Sequence, residues 1–287
     1  MRDPAIAVLP YGIRTGRSLA RRPLADLIWP LGCPDRLLGG VVGDLSPDDH
    51  LIVFPRTATH LQPDRGTRAQ VSLILGEPSV IHAKHLSLLR ISWRRFHKVL
   101  TFNEALLTQI PNGVFFPLGT TWVPEWQGLD RTKSRMCSLI ASAKRDSAGH
   151  KLRHQVVEWC RETGQDVDVM GRGYTPFERK SEGLAPYRYS IVIENVQERN
   201  YFSEKLVDSV LCDTVPIYWG CPNLERFCDP AGVVFCTSAA EIQAAVQGMS
   251  EAGYAQRLAA VRAMQPQLAA YCDLEKRAAE AVRAGLG

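Results

Sequence analysis

Residues 187–223, YRYSIVIENVQERNYFSEKLVDSVLCDTVPIYWGCPN, constrain the fold of this chain more than any other stretch. YSIVIEN is a short apolar run, β-branched at Ile191, Val192 and Ile193. It stops abruptly at Glu194 and Asn195, as a buried parallel strand does at its carboxyl end. A polar loop follows, and Ser203 is placed to cap a helix whose first turn holds Glu204 and Lys205. TVPIYWG predicts a second buried strand, closed by Gly220, and Pro222 prevents its continuation. In an open α/β sheet, ligands bind outside the carboxyl ends of the strands, near helix N-termini that favour anions. Glu194, Asn195, Tyr201, Glu204 and Lys205 fall on that rim, so the pattern points to a nucleotide site.

The flanking sequence alternates in the same way. Residues 6–12 (IAVLPYG), 51–57 (LIVFPRT) and 70–79 (QVSLILGEPS) predict three strands ended by breakers. SLLRISWRRF predicts a helix, KVLTFN a strand, NEALLTQI a short helix capped at Asn103, and NGVFFPLGTTWVP a strand with a Pro/Gly-rich crossing. The pattern restarts after WQGLDRTKS. MCSLIAS predicts a strand, and GHKLRHQVVEWCRET a helix with Leu152, Val156, Val157 and Cys160 along one face. DVDVMGRG and GVVFC predict strands, AAEIQAAVQGM a helix, and the remainder is helical. The expected architecture is two α/β domains divided near Asp130, residues 1–130 and 131–287, the second ending in a mostly helical tail.

Composition narrows the function classes. Hydrophobic content of 45% and charged content of 22% over 287 residues are those of an ordinary globular protein. No apolar run approaches the ~20 residues that span a bilayer. The N-terminal stretch, broken by Pro4 and Pro10, lacks the basic-then-apolar pattern of a signal peptide, so a cytoplasmic, bacterial-type protein is expected. The eight cysteines contain no C-x-x-C pair and read as free thiols. Net charge is +4, and Arg14, Arg17, Arg21 and Arg22 form the one concentrated basic patch. That patch reads as a solvated face. The weak positive bias suits a nucleotide diphosphate, an anionic acceptor or a negatively charged membrane face, whereas nucleic-acid binding would need interleaved aromatics.

The spacing of ENV, YFSEKL and TVPIYWGCPN resembles the signature of the α-1,3/1,4-fucosyltransferases, glycosyltransferase family 10. That pattern runs roughly FEN, a short gap, Y-x-T-E-K, then T-(V/I)-P-(V/I)-Y-x-G. Here Ser203 keeps the hydroxyl of the usual Thr, and Ile193 stands where Phe is frequent. The resemblance implies a GT-B-type fold, two Rossmann-like α/β domains facing across a cleft, with the nucleotide sugar held mainly by the C-terminal one. It implies GDP-β-L-fucose as donor, a glycan hydroxyl as acceptor, inversion at the anomeric carbon, and no obligatory metal or other cofactor. Lys205, at a helix start, suits the departing pyrophosphate. The resemblance places Arg153 on the same diphosphate, with Lys144 and Arg145 as further candidates in the loop before it. Tyr201 and Glu204 are expected on the ribose or the sugar. Glu194 and Asn195 either touch the ligand or hold the loop by hydrogen bonds. The general base is expected from the other domain, as Glu77 in LILGEPSVIH, with burial raising its pKa. His82 and His85, read as loop residues, are the alternatives. Another nucleotide sugar, or an inactive nucleotide-sugar binder, keeps the same fold.

Three further motifs carry less. Asp166 and Asp168 spell D-x-D, but at the start of a strand, where a sugar-diphosphate metal site would need its end. His150 and His154 stand four apart on a helix without a third ligand. Gly171-Arg172-Gly173 lets the chain turn close to a nucleotide. The final helix, LEKRAAEAVRAG, mixes both charge signs, so firm membrane attachment is not expected, and peripheral contact and oligomeric state stay open.

Overall fold

A computed structural model of the chain describes residues 4–286. It contains two compact units, residues 4–118 together with 274–286, and residues 119–273. The first holds a five-stranded parallel sheet in the order β1 (Ile6–Val8), β2 (His50–Val53), β3 (Gln70–Leu75), β4 (Val99–Thr101), β5 (Gly113–Phe115). The crossover from β1 to β2 runs through four short 3-10 turns, Arg17–Arg21, Leu24–Asp26, Asp35–Leu37 and Val42–Asp44. Pro23, Pro30, Pro34 and Pro47 break up any longer helix there. Helices α1 (Thr57–Leu61), α2 (Ser79–Ser92) and α3 (Glu104–Leu107) carry the later crossovers. Asn103 caps α3 as expected, its side chain accepting from the Leu106 N–H at 2.8 Å.

The second unit holds β6 (Arg135–Ile140), β7 (Val167–Met170), β8 (Tyr187–Ile193), β9 (Val215–Trp219) and β10 (Val234–Phe235), all parallel, in the order β10-β9-β8-β6-β7. Helices α4 (Ala148–Glu162), α5 (Glu204–Leu211), α6 (Ala239–Gln247) and α7 (Glu251–Ala269) surround it. Val156, Val157 and Cys160 of α4 enter the same core as Leu206, Val207 and Val210 of α5. All eight cysteines are free, six of them buried. No helix among the described residues is long and apolar enough to cross a membrane.

The last helix, α8 (Leu274–Arg283), belongs to the first unit. Alternation along the first sheet explains why. Ala5, Ala7, Leu51, Val53, Leu73 and Leu75 point to the side of the crossovers, against Leu24, Leu45 and Leu89. Ile6, Val8, Ile52, Ile74 and Leu100 point to the other side, where Leu274, Ala278, Ala279 and Val282 cover them. The sequence pattern suggests a single division near Asp130, whereas the compact units part at 118/119 and again at 273/274. The segment after Leu118 joins the second unit because Val123 is buried against Leu184 and Cys212. Asp208 fixes the same segment, accepting from the Thr121 hydroxyl at 2.6 Å and the Trp122 N–H at 3.1 Å.

His82 and His85 stand on α2 rather than in a loop, because the helix begins at Ser79, directly after Pro78. They sit in a histidine cluster. His60 Nε2 and His85 Nδ1 are 3.0 Å apart, His60 Nδ1 is 3.0 Å from Ser92 Oγ, and the His82 and His85 rings meet edge to face. Burial, reinforced by neighbouring His85, pushes the pKa of His60 and of His82 down from the ordinary 6.5 to about 4. Burial likewise pushes His50, which packs on His97, down to about 4.

Two outcomes follow for stability. A His pKa lowered by folding means the unfolded chain binds more protons between the two values. Stability is therefore full above pH 6.5 and falls as the pH drops towards 4, by on the order of 3 kcal/mol for each independently titrating histidine. His82 Nδ1 has no hydrogen-bond partner among the described residues, so His82→Leu should flatten the slope of urea-unfolding free energy across that window. An unchanged slope would contradict this. On the opposite face of the sheet, Val282→Asp places a charge in an apolar layer and should lower the unfolding free energy by about 3 kcal/mol or more. Chemical denaturation of the variant would measure that loss.

Candidate active site

The second sheet reverses its winding between β6 and β8, since β6 leads outward to the edge strand β7 while β8 leads the other way to β9 and β10. A crevice opens outside the carboxyl ends of strands at such a point. Two loops leave the sheet there, residues 141–147 into α4 and residues 194–203 into α5.

Glu194, the first residue beyond β8, organises the site. It is fully buried, and its carboxylate accepts from the Ser203 N–H at 2.8 Å and the Ser203 hydroxyl at 2.7 Å. Ser203 in turn caps α5 as expected, accepting from the Lys205 N–H at 3.3 Å. Glu194 thus ties the end of β8 to the start of α5 across the intervening loop. Two glycines make room for it. A Cβ on Gly149, in the first turn of α4, would lie 1.7 Å from the Glu194 carbonyl oxygen, and one on Gly220 would lie 2.6 Å from Glu194 Cγ. With no side chain in the way, Gly149 N–H donates to the Asn195 carbonyl at 2.9 Å and brings the N-terminus of α4 against β8.

Around this anchor stand three cations and three carboxylates. Arg153, reaching back from α4, is buried and donates Nε to the Ile193 carbonyl at 3.0 Å and Nη2 to Asn195 Oδ1 at 3.2 Å. Its Nη1 makes no hydrogen bond among the described residues. Burial pulls the guanidinium pKa down, against the opposing fields of Glu194, Tyr201 and Glu204. The Lys205 ammonium lies 3.0 Å from Ser203 Oγ, 3.1 Å from Glu204 Oε1 and 3.5 Å from Glu194 Oε2, with a quarter of the side chain exposed. Burial works against its charge, yet Glu204 and Glu194 hold its pKa above the ordinary lysine value. Burial also pushes the Glu204 carboxyl up, but Lys205 and Lys180 outweigh it and hold the group at about 2. Lys180, absent from the sequence expectations, lies 2.8 Å from Asp208, 3.8 Å from Glu204 and beneath the exposed ring of Trp122 at 5.0 Å. Arg153, Lys180 and Lys205 therefore balance Glu194, Glu204 and Asp208, and Lys205 is already engaged by two carboxylates.

The remaining expected residues sort by distance from this cluster. Tyr201 is buried in the loop between β8 and α5, and Asn195 is half-buried. Lys144 is exposed in the β6–α4 loop, and its carbonyl accepts from His154 Nε2 at 2.9 Å, leaving His154 Nδ1 to accept from the Tyr174 hydroxyl at 2.6 Å. His154 is thus a brace for that loop. Gly171 (φ +110°) allows the turn after β7 to lie against β6, where a Cβ would meet the Ala141 carbonyl at 2.2 Å. Asn223 holds the 194–203 loop from its far side, accepting from the Asn200 N–H at 2.8 Å and donating to Asn200 Oδ1 at 2.9 Å. Asp168 of the D-x-D is paired with Arg135 at 2.6 Å and accepts from the Tyr187 hydroxyl. His150 faces Asp146 at 2.9 Å. No group of three His, Cys, Asp or Glu among the described residues is placed to hold a metal ion. Glu77 lies in the first unit, two residues beyond β3. It is exposed, not buried, because Pro78 and the start of α2 turn the chain at the sheet's rim.

Gly149→Ala should separate α4 from β8 and lower the melting temperature by several degrees. Gly128→Ala, where the added Cβ meets nothing within 4 Å, is the matched control and should leave it unchanged. Calorimetric melts of the two variants would separate the cases, and equal melting temperatures would contradict the close approach.

Residues 130–251 match the family model described as "Glycosyltransferase family 10 (fucosyltransferase) C-term", a stretch that contains the whole constellation around Glu194. Two curated proteins are similar over parts of the chain. An alpha-(1,3)-fucosyltransferase FucT of Helicobacter pylori is 35% identical over 57 residues, 20% of this chain and 12% of the relative. A putative fucosyltransferase-like protein of Arabidopsis thaliana is 27% identical over 132 residues, 45% of this chain and 25% of the relative. The matches thus span a quarter or less of those relatives' lengths. Among solved structures, an α,α-trehalose 6-phosphate synthase from Burkholderia multivorans covers 84% of this chain and 72% of its own, at 10% identity and a TM-score of 0.52. That likeness is one of fold, the two parallel α/β units of the GT-B class. Over residues 130–251 the chain is therefore similar to the C-terminal region of glycosyltransferase family 10.

Proposed function

We propose that the chain is an inverting fucosyltransferase that moves L-fucose from GDP-β-L-fucose to a hydroxyl of a glycan. The observation that carries this reading is the position of Arg153, Glu204 and Lys205 around the ends of β8 and α4 and the start of α5, inside the family-matched segment. The fully buried Glu194 acts there as the anchor of the loop, and Asn195 orients Arg153. Arg153 through Nη1 and Lys205 through its ammonium face the diphosphate, and Lys144 in the β6–α4 loop adds a third positive charge. Tyr201 and Glu204 shape the pocket for ribose or sugar.

In the reaction, Glu77 removes the proton of the acceptor hydroxyl as its oxygen bonds to the anomeric carbon of fucose. The bond from that carbon to the diphosphate breaks, and the electron pair leaves on the GDP oxygen. Lys205 and Arg153 stabilise the charge that develops there, the role a divalent metal fills in other sugar transfers. Because Lys205 already faces Glu204 and Glu194, the incoming diphosphate gains most when it draws the ammonium away from them.

Isothermal titration with GDP, UDP and ADP, each with and without EDTA, tests the donor. GDP should bind in both conditions, and Lys205→Ala should weaken it by about tenfold or more, the scale of one charge-assisted hydrogen bond. Glu77→Gln should abolish transfer to a glycan while leaving GDP affinity intact. Preference for UDP would overturn the fucose assignment, and full activity of Glu77→Gln would overturn the base.

A further inference from the structure

The basic patch at residues 14–22 is not absorbed by the donor site, which lies in the other unit. It lines a pocket of about 580 Å³ in the first unit, beyond the carboxyl end of β1. Arg14, Arg21, Arg22 and Ser18 supply its polar wall, and Ile13 and Leu19 its apolar one. Among the described residues, the only carboxylate lining it, Asp26, is taken up by Arg22 at 2.8 Å. The side chains of Arg14, Arg21 and Ser18 have no hydrogen-bond or ion-pair partner among the described residues. Other arginines of this unit are engaged: Arg36 on Asp49, Arg56 on the Gly12 carbonyl, and Arg65 on the Thr59 carbonyl. Three guanidiniums around one concavity with a single, already paired carboxylate repel one another, and an anion seated among them relieves that repulsion. A planar guanidinium fork fits the two oxygens of a carboxylate or phosphate. The volume exceeds that of the anionic group alone and has room for a sugar ring. Tyr11, next to Gly12 at the rim, is 84% exposed, its ring held edge to face on Phe54.

We propose that this pocket binds the carboxylate or phosphate of an acidic saccharide, and that this saccharide is the acceptor. The acceptor role rests on the transferase reading above, while the anion site stands on the pocket alone.

The test titrates the full chain with glucuronic acid, glucose 6-phosphate and glucose, and separately with GDP. At least one of the two acidic sugars should bind more tightly than neutral glucose. The Arg14→Ala/Arg21→Ala double variant should lose about tenfold or more of that affinity, while its melting temperature and GDP affinity stay unchanged. The double lysine variant, which keeps charge but not the fork, should retain part of the binding. Equal binding of glucose and both acidic sugars, or no effect of removing the arginines, overturns the site. Binding of phosphatidylglycerol vesicles that needs Arg14 and Arg21, without binding of either acidic sugar, also overturns it and marks the patch as a membrane contact. Acidic-sugar binding in a chain that ignores GDP sustains the pocket and removes its acceptor role. GDP binding without acidic-sugar binding overturns the pocket and leaves the transferase reading standing.

Discussion

The buried carboxylate of Glu194 is the interaction on which the second unit's site depends. A charge wholly removed from water is stable only if its lone pairs are satisfied, and here Ser203 supplies both an N–H and a hydroxyl, with Lys205 as counter-ion. The same contacts set the start of α5, and hence the direction in which Glu204 and Lys205 leave the backbone. Gly149 and Gly220 yield the space that the carbonyl and side chain of Glu194 occupy. Arg153 then grips the Ile193 carbonyl next to it. Strand, loop and two helix starts are thereby fixed relative to a single side chain, which is the preorganisation that the proposed donor site needs.

The two sheets differ in a way that explains why the polar residues collect in one of them. The first winds in one direction, β1 to β5, so its right-handed crossovers lie on one face and no crevice forms by reversal. The second reverses between β6 and β8, and its loops part there. The buried charge balance around Glu194 forms at that parting. What the first unit offers is an exposed glutamate at the end of β3 and an arginine-lined pocket beyond β1.

Much of this was legible in the sequence where the signal is local. Period and composition placed β8, α5 and β9 with their ends, and the caps Ser203 and Asn103 stand where their side-chain chemistry predicts. What was not legible depends on contacts distant along the chain. Lys180 and Asp208 meet across an interval with no periodic relation, and Lys180 reads locally as one more surface lysine. The 3-10 turns between β1 and β2 carry too few residues per turn for an amphipathic stripe to show. The exposure of Glu77 depends on how α2 starts, which Pro78 permits but does not dictate. Gly149 did leave a trace, a glycine in the first turn of a strongly patterned helix, where its cost in helix propensity calls for a packing reason. Nothing in the alternation of α8 names the sheet that it covers.

That helix has a consequence for the order in which the molecule comes into being. Because α8 covers one face of the first sheet, the chain enters the second unit at Gly119 and leaves it again at Asp273 before the first unit is complete. During synthesis, Ile6, Val8, Ile52, Ile74 and Leu100 emerge before the second unit, while Leu274, Ala278, Ala279 and Val282, which shield them, emerge after it. The amino-terminal half therefore waits, with an apolar sheet face open to water or to a chaperone, while the carboxyl-terminal unit is made and folds. Although its sheet is made before the second unit, the first unit becomes native only after that unit has been made.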